Sequence, residues 1–321
     1  MKKNGKKIAA LATLASLAVG TTVAIHIVNT LIDKKADTGL LDKENTFTYN
    51  WRLSPVTYKK YGTGSPILLL HELSACSSSY EWNRVIEPMA KDHTVYVLDL
   101  PGCGLSEKPN VTYTNFFFVE LITDFMKNMI QEPCDVIATG ISASLAITSC
   151  NCDRSLFRKL ILVNPASPQQ LGQIPGKRSR FRKGLLAVPI FGTMLYHMLI
   201  SRKMLTKEFT QRLFFDAAKV TPEQIETYYE SGHRDGSKGR FLMSSITGHY
   251  VYFHVAHALQ SIDNDIVIVG GDKQEYIQDT IQSYQRMNPA IESVLVEDTK
   301  HLPQLESPDE FLKQISVYIN D

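Results

Sequence analysis

A hydroxyl, a carboxylate and an imidazole can together break an acyl bond. The imidazole takes the proton that makes a serine nucleophilic, and the carboxylate orients the ring and steadies the imidazolium. This chain carries all three near apolar runs that look like strands. Ser142 lies in Gly140-Ile141-Ser142-Ala143-Ser144, directly after CDVIAT (134–139). A sharp strand-to-helix turn needs such small neighbours to close, and would lift the Ser142 hydroxyl clear of the strand end. The amides that follow would lie near a helix N-terminus, whose partial positive charge suits a developing oxyanion. His301 stands in KHLPQLESPDEF (300–311), and Asp272 and Glu275 share the turn Gly270-Gly271-Asp272-Lys273-Gln274-Glu275.

The elements that must position them form a regular pattern. PILLL (66–70), TVYVLDL (94–100), CDVIAT, KLILVN (159–164) and DIVIVG (265–270) are short and apolar, as strands buried on both faces are. Helical stretches at 114–130 and 143–149 lie between them, which predicts an α/β fold with a mostly parallel sheet and helices on both faces. VTYKKYG (56–62) reads as an edge strand, SVLVE (293–297) as the last strand and 307–319 as the closing helix. Residues 168–260 interrupt the rhythm with helical stretches at 184–200, 203–219 and 222–232. The expected organisation is a core of 47–167 and 261–321 with a helical cap of 168–260. Ligands in such sheets bind beyond the carboxyl ends of the strands, where all three candidate residues fall.

Four ordered segments carry a resemblance to a known family. ILLLH (67–71) resembles the strand that ends in a His-Gly oxyanion turn, and DLPGCGLSEKP (99–109) resembles an Asp-x-Pro-Gly-x-Gly-x-Ser segment. GISAS matches a nucleophile elbow, and KHLPQLESPDEF matches a catalytic His followed by Glu-x-Pro. The chain resembles capped α/β-hydrolase-fold serine hydrolases over about residues 55–319. The resemblance implies Ser142 as nucleophile, His301 as base and Asp272 as acid, with Glu275 as the fallback carboxylate and the Leu73 and Ala143 amides as oxyanion donors. Glu72 replaces the Gly of the His-Gly pair and is expected to point away from the hole; His71 is expected to pack and hydrogen-bond beneath it. The implied reaction is cleavage of a hydrophobic or lipid-like carboxylic ester through an acyl-enzyme, with no metal or organic cofactor. Epoxide and carbon–halogen hydrolases of this fold resemble it less, because they carry Asp where Ser142 stands. An inactive fold used for binding, or an aminopeptidase-like hydrolase, are the alternatives.

Composition is that of a globular protein with a substantial core: 321 residues, 44% hydrophobic and 21% charged. Lys+Arg total 34 against Asp+Glu 33, so no global basic excess attracts nucleic acid. Five cysteines, an odd number, argue against a disulfide scaffold. Cys150-x-Cys152 reads as packing, and His249, His254 and His257 read as a cap face rather than a metal site.

Residues 8–32 contain no Asp, Glu, Lys or Arg, a stretch long enough to span a bilayer. The expectation is an N-terminal transmembrane helix over 1–32, retained rather than cleaved as a signal peptide, then a tether over 33–46. Lys2, Lys3, Lys6 and Lys7 would keep the N-terminus in the cytoplasm, making a single-pass cell-membrane protein with an extracytoplasmic domain, or a secreted one if the segment is cut. In the cap, GKRSRFRKG (176–184) leads into the apolar GLLAVPIFGTMLYHMLI (184–200). That pairing fits either a solvated cap face or one that rests on an anionic lipid surface.

Overall fold

The computed structural model describes residues 20–41 and 44–319. Eight strands form one sheet: β1 (Thr46–Trp51), β2 (Ser54–Tyr61), β3 (Ser65–Leu70), β4 (His93–Leu98), β5 (Cys134–Thr139), β6 (Phe157–Val163), β7 (Asp265–Gly271) and β8 (Glu292–Val296). Their order is β1-β2-β4-β3-β5-β6-β7-β8. Only β1–β2 and β2–β4 pair antiparallel; the rest are parallel. The five apolar runs named above become the buried centre, for the reason given: a strand covered on both faces has no polar side to show. The segment expected at the edge is β2, and the edge is β1. TFTYNW has too few apolar residues to announce itself, because edge strands are half solvated.

Two apolar layers sandwich the sheet. One joins Leu68, Val136 and Leu160 to the helix after the elbow and to Phe118 and Phe125. The other joins Ile67, Ile137 and Val267 to Trp82 and Phe311. The cap is helical: α4 (Lys177–Ala187), α5 (Phe191–Leu199), α6 (Arg202–Glu208), α7 (Pro222–Ser237) and α8 (Arg240–Thr247), preceded by α1 (20–36), α2 (Asn115–Phe125) and α3 (Ile141–Cys152). The stretch 184–200, expected as one helix, breaks at Pro189, which cannot continue a helix past α4.

Residues 8–19 of the expected membrane span lie outside the described residues. Among the described residues no helix is long and apolar enough to cross a membrane. The remainder of the span is α1, and its C-terminal half packs on the cap. Asn29 Nδ2 donates to Ile190 O at 3.1 Å, Ser237 Oγ donates to Asp33, and Ala36 is buried. The expected tether 33–46 is accordingly helical to residue 36 and then held, with the Thr38 and Leu40 amides donating to Glu230. Burial pushes Asp33 up to about 6 and pushes His197 and His233, stacked 4.9 Å apart beside it, down to about 4.

Candidate active site

The elbow falls two residues earlier than the spacing suggested. Strand β5 ends at Thr139, and the next residue, Gly140, has φ 57° and ψ −118°. That strained, positive-φ position between strand and helix is where a hydrolase of this kind holds its nucleophile. Here it has no side chain. A Cβ on Gly140 would lie 1.6 Å from Glu72 Oε2. The space that a nucleophilic side chain would fill is occupied by the Glu72 carboxylate, which arrives from the turn after β3.

Ser142 lies in the first turn of α3, buried, with its hydroxyl donating to His71 O at 2.6 Å. It ties the elbow helix to the β3 turn and does not border the cavity that contains His301. The assignment of Ser142 as nucleophile is therefore corrected. Ser142→Ala should leave turnover within about threefold of the parent. Loss of the buried bond should cost about 1 kcal/mol, read as a lower urea midpoint.

Glu72 also reverses its expected direction, because its carboxylate points into the hole. Oε1 accepts the Ile141 amide at 3.1 Å, and Oε2 pairs with His301 Nε2 at 2.9 Å. Ile141 follows Gly140, so its N–H, rather than that of Ala143, stands at the place after the elbow residue and donates to Glu72. Leu73, the residue of the other expected donor, is among those that line the cavity. Behind Glu72 stands a second carboxylate that sequence reasoning missed. Glu81 Oε2 accepts the Glu72 amide at 2.8 Å and Oε1 accepts the Tyr228 hydroxyl at 2.9 Å; burial raises its carboxyl above the usual range. His71 does hydrogen-bond beneath the turn, with Nδ1–H donating to Glu72 O and Nε2 accepting the Leu100 amide.

Glu72 is the carboxylate paired with the His301 ring, and the loop around the ring is fixed through its backbone. Asn164 Nδ2 donates to Lys300 O and His301 O, Glu306 accepts the Lys300 amide, and the His301 amide donates to Leu213 O in the cap. Asn164, the last residue of the run KLILVN, carried no sequence signal beyond its place at a strand end. Among the described residues the Asp272 carboxylate has other partners than the ring: it pairs with Lys273 Nζ at 2.7 Å and accepts the Thr299 amide at 3.4 Å. Glu275 is exposed at the cavity rim. Three residues past Gly271, where Gly-x-x-Asp would place the acid, stands Gln274, a neutral amide lining the cavity.

These departures form one set. The elbow carries no hydroxyl, the position three residues past Gly271 carries no charge, and one carboxylate pairs with the imidazole. The cavity they face has a volume of about 660 Å³ and is walled by β-strand ends and cap residues, including Leu205, Phe209, Ile246 and Tyr252. Among the described residues no group of His, Cys, Asp and Glu could hold a metal ion.

Comparison with known proteins places this frame. Proline iminopeptidase of Heyndrickxia coagulans is 22% identical over 282 residues, covering 84% of this chain and 95% of that protein. Soluble epoxide hydrolase of Corynebacterium sp. (strain C12) is 29% identical over 107 residues, covering 33% of this chain and 37% of that one. Among solved structures, a serine hydrolase involved in carbazole degradation superposes with a TM-score of 0.71 at 16% identity, covering 86% of this chain and 98% of its own. Residues 67–314, which hold both Glu72 and His301, match the profile of one family, and by that match the chain belongs to the alpha/beta hydrolase family.

Proposed function

We propose that this protein hydrolyses a small, largely apolar molecule at an electrophilic saturated carbon, such as an epoxide or an alkyl halide, with Glu72 as nucleophile and His301 as base. The supporting observation is the placement of the two carboxylate oxygens, one on the Ile141 amide and the other on His301 Nε2, facing a cavity with an apolar wall. Ester and amide cleavage fit this arrangement poorly. A tetrahedral oxyanion would have to approach a donor already holding a carboxylate, and the two negative charges would repel. That objection covers both the serine-esterase and the aminopeptidase-like readings.

The reaction balances with groups already present. Glu72 Oε2 attacks carbon, and the halide leaves with its electron pair; for an epoxide, the ring C–O bond breaks and the alkoxide takes a proton from the Tyr252 phenol. Burial raises Tyr252 above its usual range, so the phenol stays protonated. The product is an ester on Glu72. Its formation removes the carboxylate to which Nε2–H was donating; the ring proton then relocates to Nδ1 through solvent, and the bared His301 Nε2 takes a proton from water. Hydroxide adds to Glu72 Cδ, negative charge gathers on Oε1 at the Ile141 N–H, and collapse releases the alcohol with the old Oε2. His301 returns the proton to the alcohol oxygen, and the acid left on Glu72 gives its proton to solvent after an alkyl halide, or to the Tyr252 phenolate after an epoxide, which restores the carboxylate and the phenol.

A single turnover in ¹⁸O-water tests this, using an alkyl chloride or styrene-type epoxide panel beside p-nitrophenyl esters. The expected result is about one ¹⁸O atom in the peptide containing Glu72, with ester turnover lower by about a hundredfold or more. Efficient ester turnover with no label in that peptide would reject the assignment. The missing hydroxyl and the neutral Gln274 favour one further reading, a binding module without catalysis. That reading predicts ligand-induced thermal stabilisation, no turnover of any class and no covalent mass.

A further inference from the structure

We infer that the α4–α5 face of the cap docks on an anionic phospholipid bilayer. Two independent features converge there. Residues 168–207 contain eight Lys/Arg and no Asp or Glu. Lys177, Arg178, Arg180 and Arg182 are exposed on α4, and none forms an ion pair among the described residues. On the same helix pair Phe181 (70%), Leu185, Phe191, Met194, Met198 (63%) and Leu199 are exposed. Singly exposed apolar residues are ordinary, but a cluster this dense beside uncompensated cations is the signature of an interfacial surface.

Charge decides the occupant. A second copy of the chain docking through the same face would bring two sets of unpaired cations together, whereas anionic headgroups neutralise them and the acyl region accepts the aromatic and Met side chains. The direction of the chain agrees. Helix α1, whose Ile27 and Leu31 are exposed, is fixed beside this face by the Asn29–Ile190 hydrogen bond. The face also runs into the cavity, since Leu199 and Met204 are both surface-exposed and part of its wall. A substrate dissolved in the bilayer would therefore enter without crossing water.

The test uses the full chain carrying Phe181→Trp, and reads the new indole against the parent, whose Trp51 and Trp82 are buried. Vesicles of phosphatidylglycerol and phosphatidylcholine with brominated acyl chains should blue-shift its emission and quench it about twofold, and phosphatidylcholine alone should do neither. Adding K177E, R178E, R180E and R182E should remove the signal even where flotation shows the chain still on the vesicles through its N-terminal segment. An unquenched indole on floated anionic vesicles would overturn the inference. So would a blue shift without lipid that grows with protein concentration, which would assign the face to a second copy. No turnover enters the readout, so this inference and the Glu72 chemistry stand or fall separately.

Discussion

Replacing His301 with glutamine should stop the reaction halfway and leave the substrate carbon attached to Glu72. With an alkyl chloride the first step needs only a carboxylate and a leaving group, and halide departs without a proton. The second step needs a base, because water is a poor nucleophile toward an ester until a proton is removed. His301 Nε2 is the group in contact with the attacked carboxylate, at 2.9 Å from Oε2. Its loss should therefore lower steady-state turnover by about 10³-fold or more while one equivalent of halide is still released in a burst. Intact-mass measurement should show the parent mass plus the alkyl group, and peptide mapping should place it on Glu72. In Glu72→Gln the burst itself should vanish, because an amide oxygen cannot take the nucleophile's role. The pair separates chemistry from binding: a module that merely holds a ligand gives neither burst nor adduct in either variant. An adduct that forms equally in Glu72→Gln would assign the nucleophile elsewhere and end the proposal.

The sheet was readable because its centre obeys one rule. CDVIAT, KLILVN and DIVIVG are buried on both faces, so nothing polar interrupts them. His301 was readable for a related reason, as its loop is fixed by Asn164 and by Glu306, the Glu of the Glu-x-Pro that follows it. The elbow register was not, and the cause is local. Ala138-x-Gly140-x-Ser142 and Gly140-x-Ser142-x-Ser144 both satisfy a small-x-residue-x-small pattern, and a serine attracts the chemical reading. The tie is broken by where the strand ends, since the residue just past Thr139 must adopt the positive φ. Glycine does so without strain, which is also why a missing nucleophile leaves the turn intact. Glu72 was visible as a departure from His-Gly, but its direction depends on the space above Gly140. Two separate sequence anomalies, a carboxylate at 72 and no side chain at 140, are one structural fact.

That fact predicts how a serine enzyme could be built on this frame. Gly140→Ser alone should fail: its Cβ would lie 1.6 Å from Glu72 Oε2 and the residue would be held at φ 57°. The backbone strain alone costs about 1–3 kcal/mol, so the single variant should melt lower than the parent and remain unlabelled by a fluorophosphonate probe. Adding Glu72→Gly removes the obstruction, returns the Ile141 N–H to the hole beside Leu73, and frees His301 Nε2 to accept a proton from the new hydroxyl. Gln274→Asp then adds a carboxylate three residues past Gly271, on the same cavity wall as His301, the third group that a serine triad uses to orient its imidazole. The triple variant should react with the probe about a hundredfold or more faster than the parent, and gain p-nitrophenyl acetate turnover as it loses reaction at saturated carbon. Ser142→Ala placed on top should leave that labelling unchanged, since this hydroxyl is spent on the His71 carbonyl. A folded triple variant whose labelling depends on Ser142 would instead restore the elbow to the register first read from the sequence, and the carboxylate in the hole would need a different explanation.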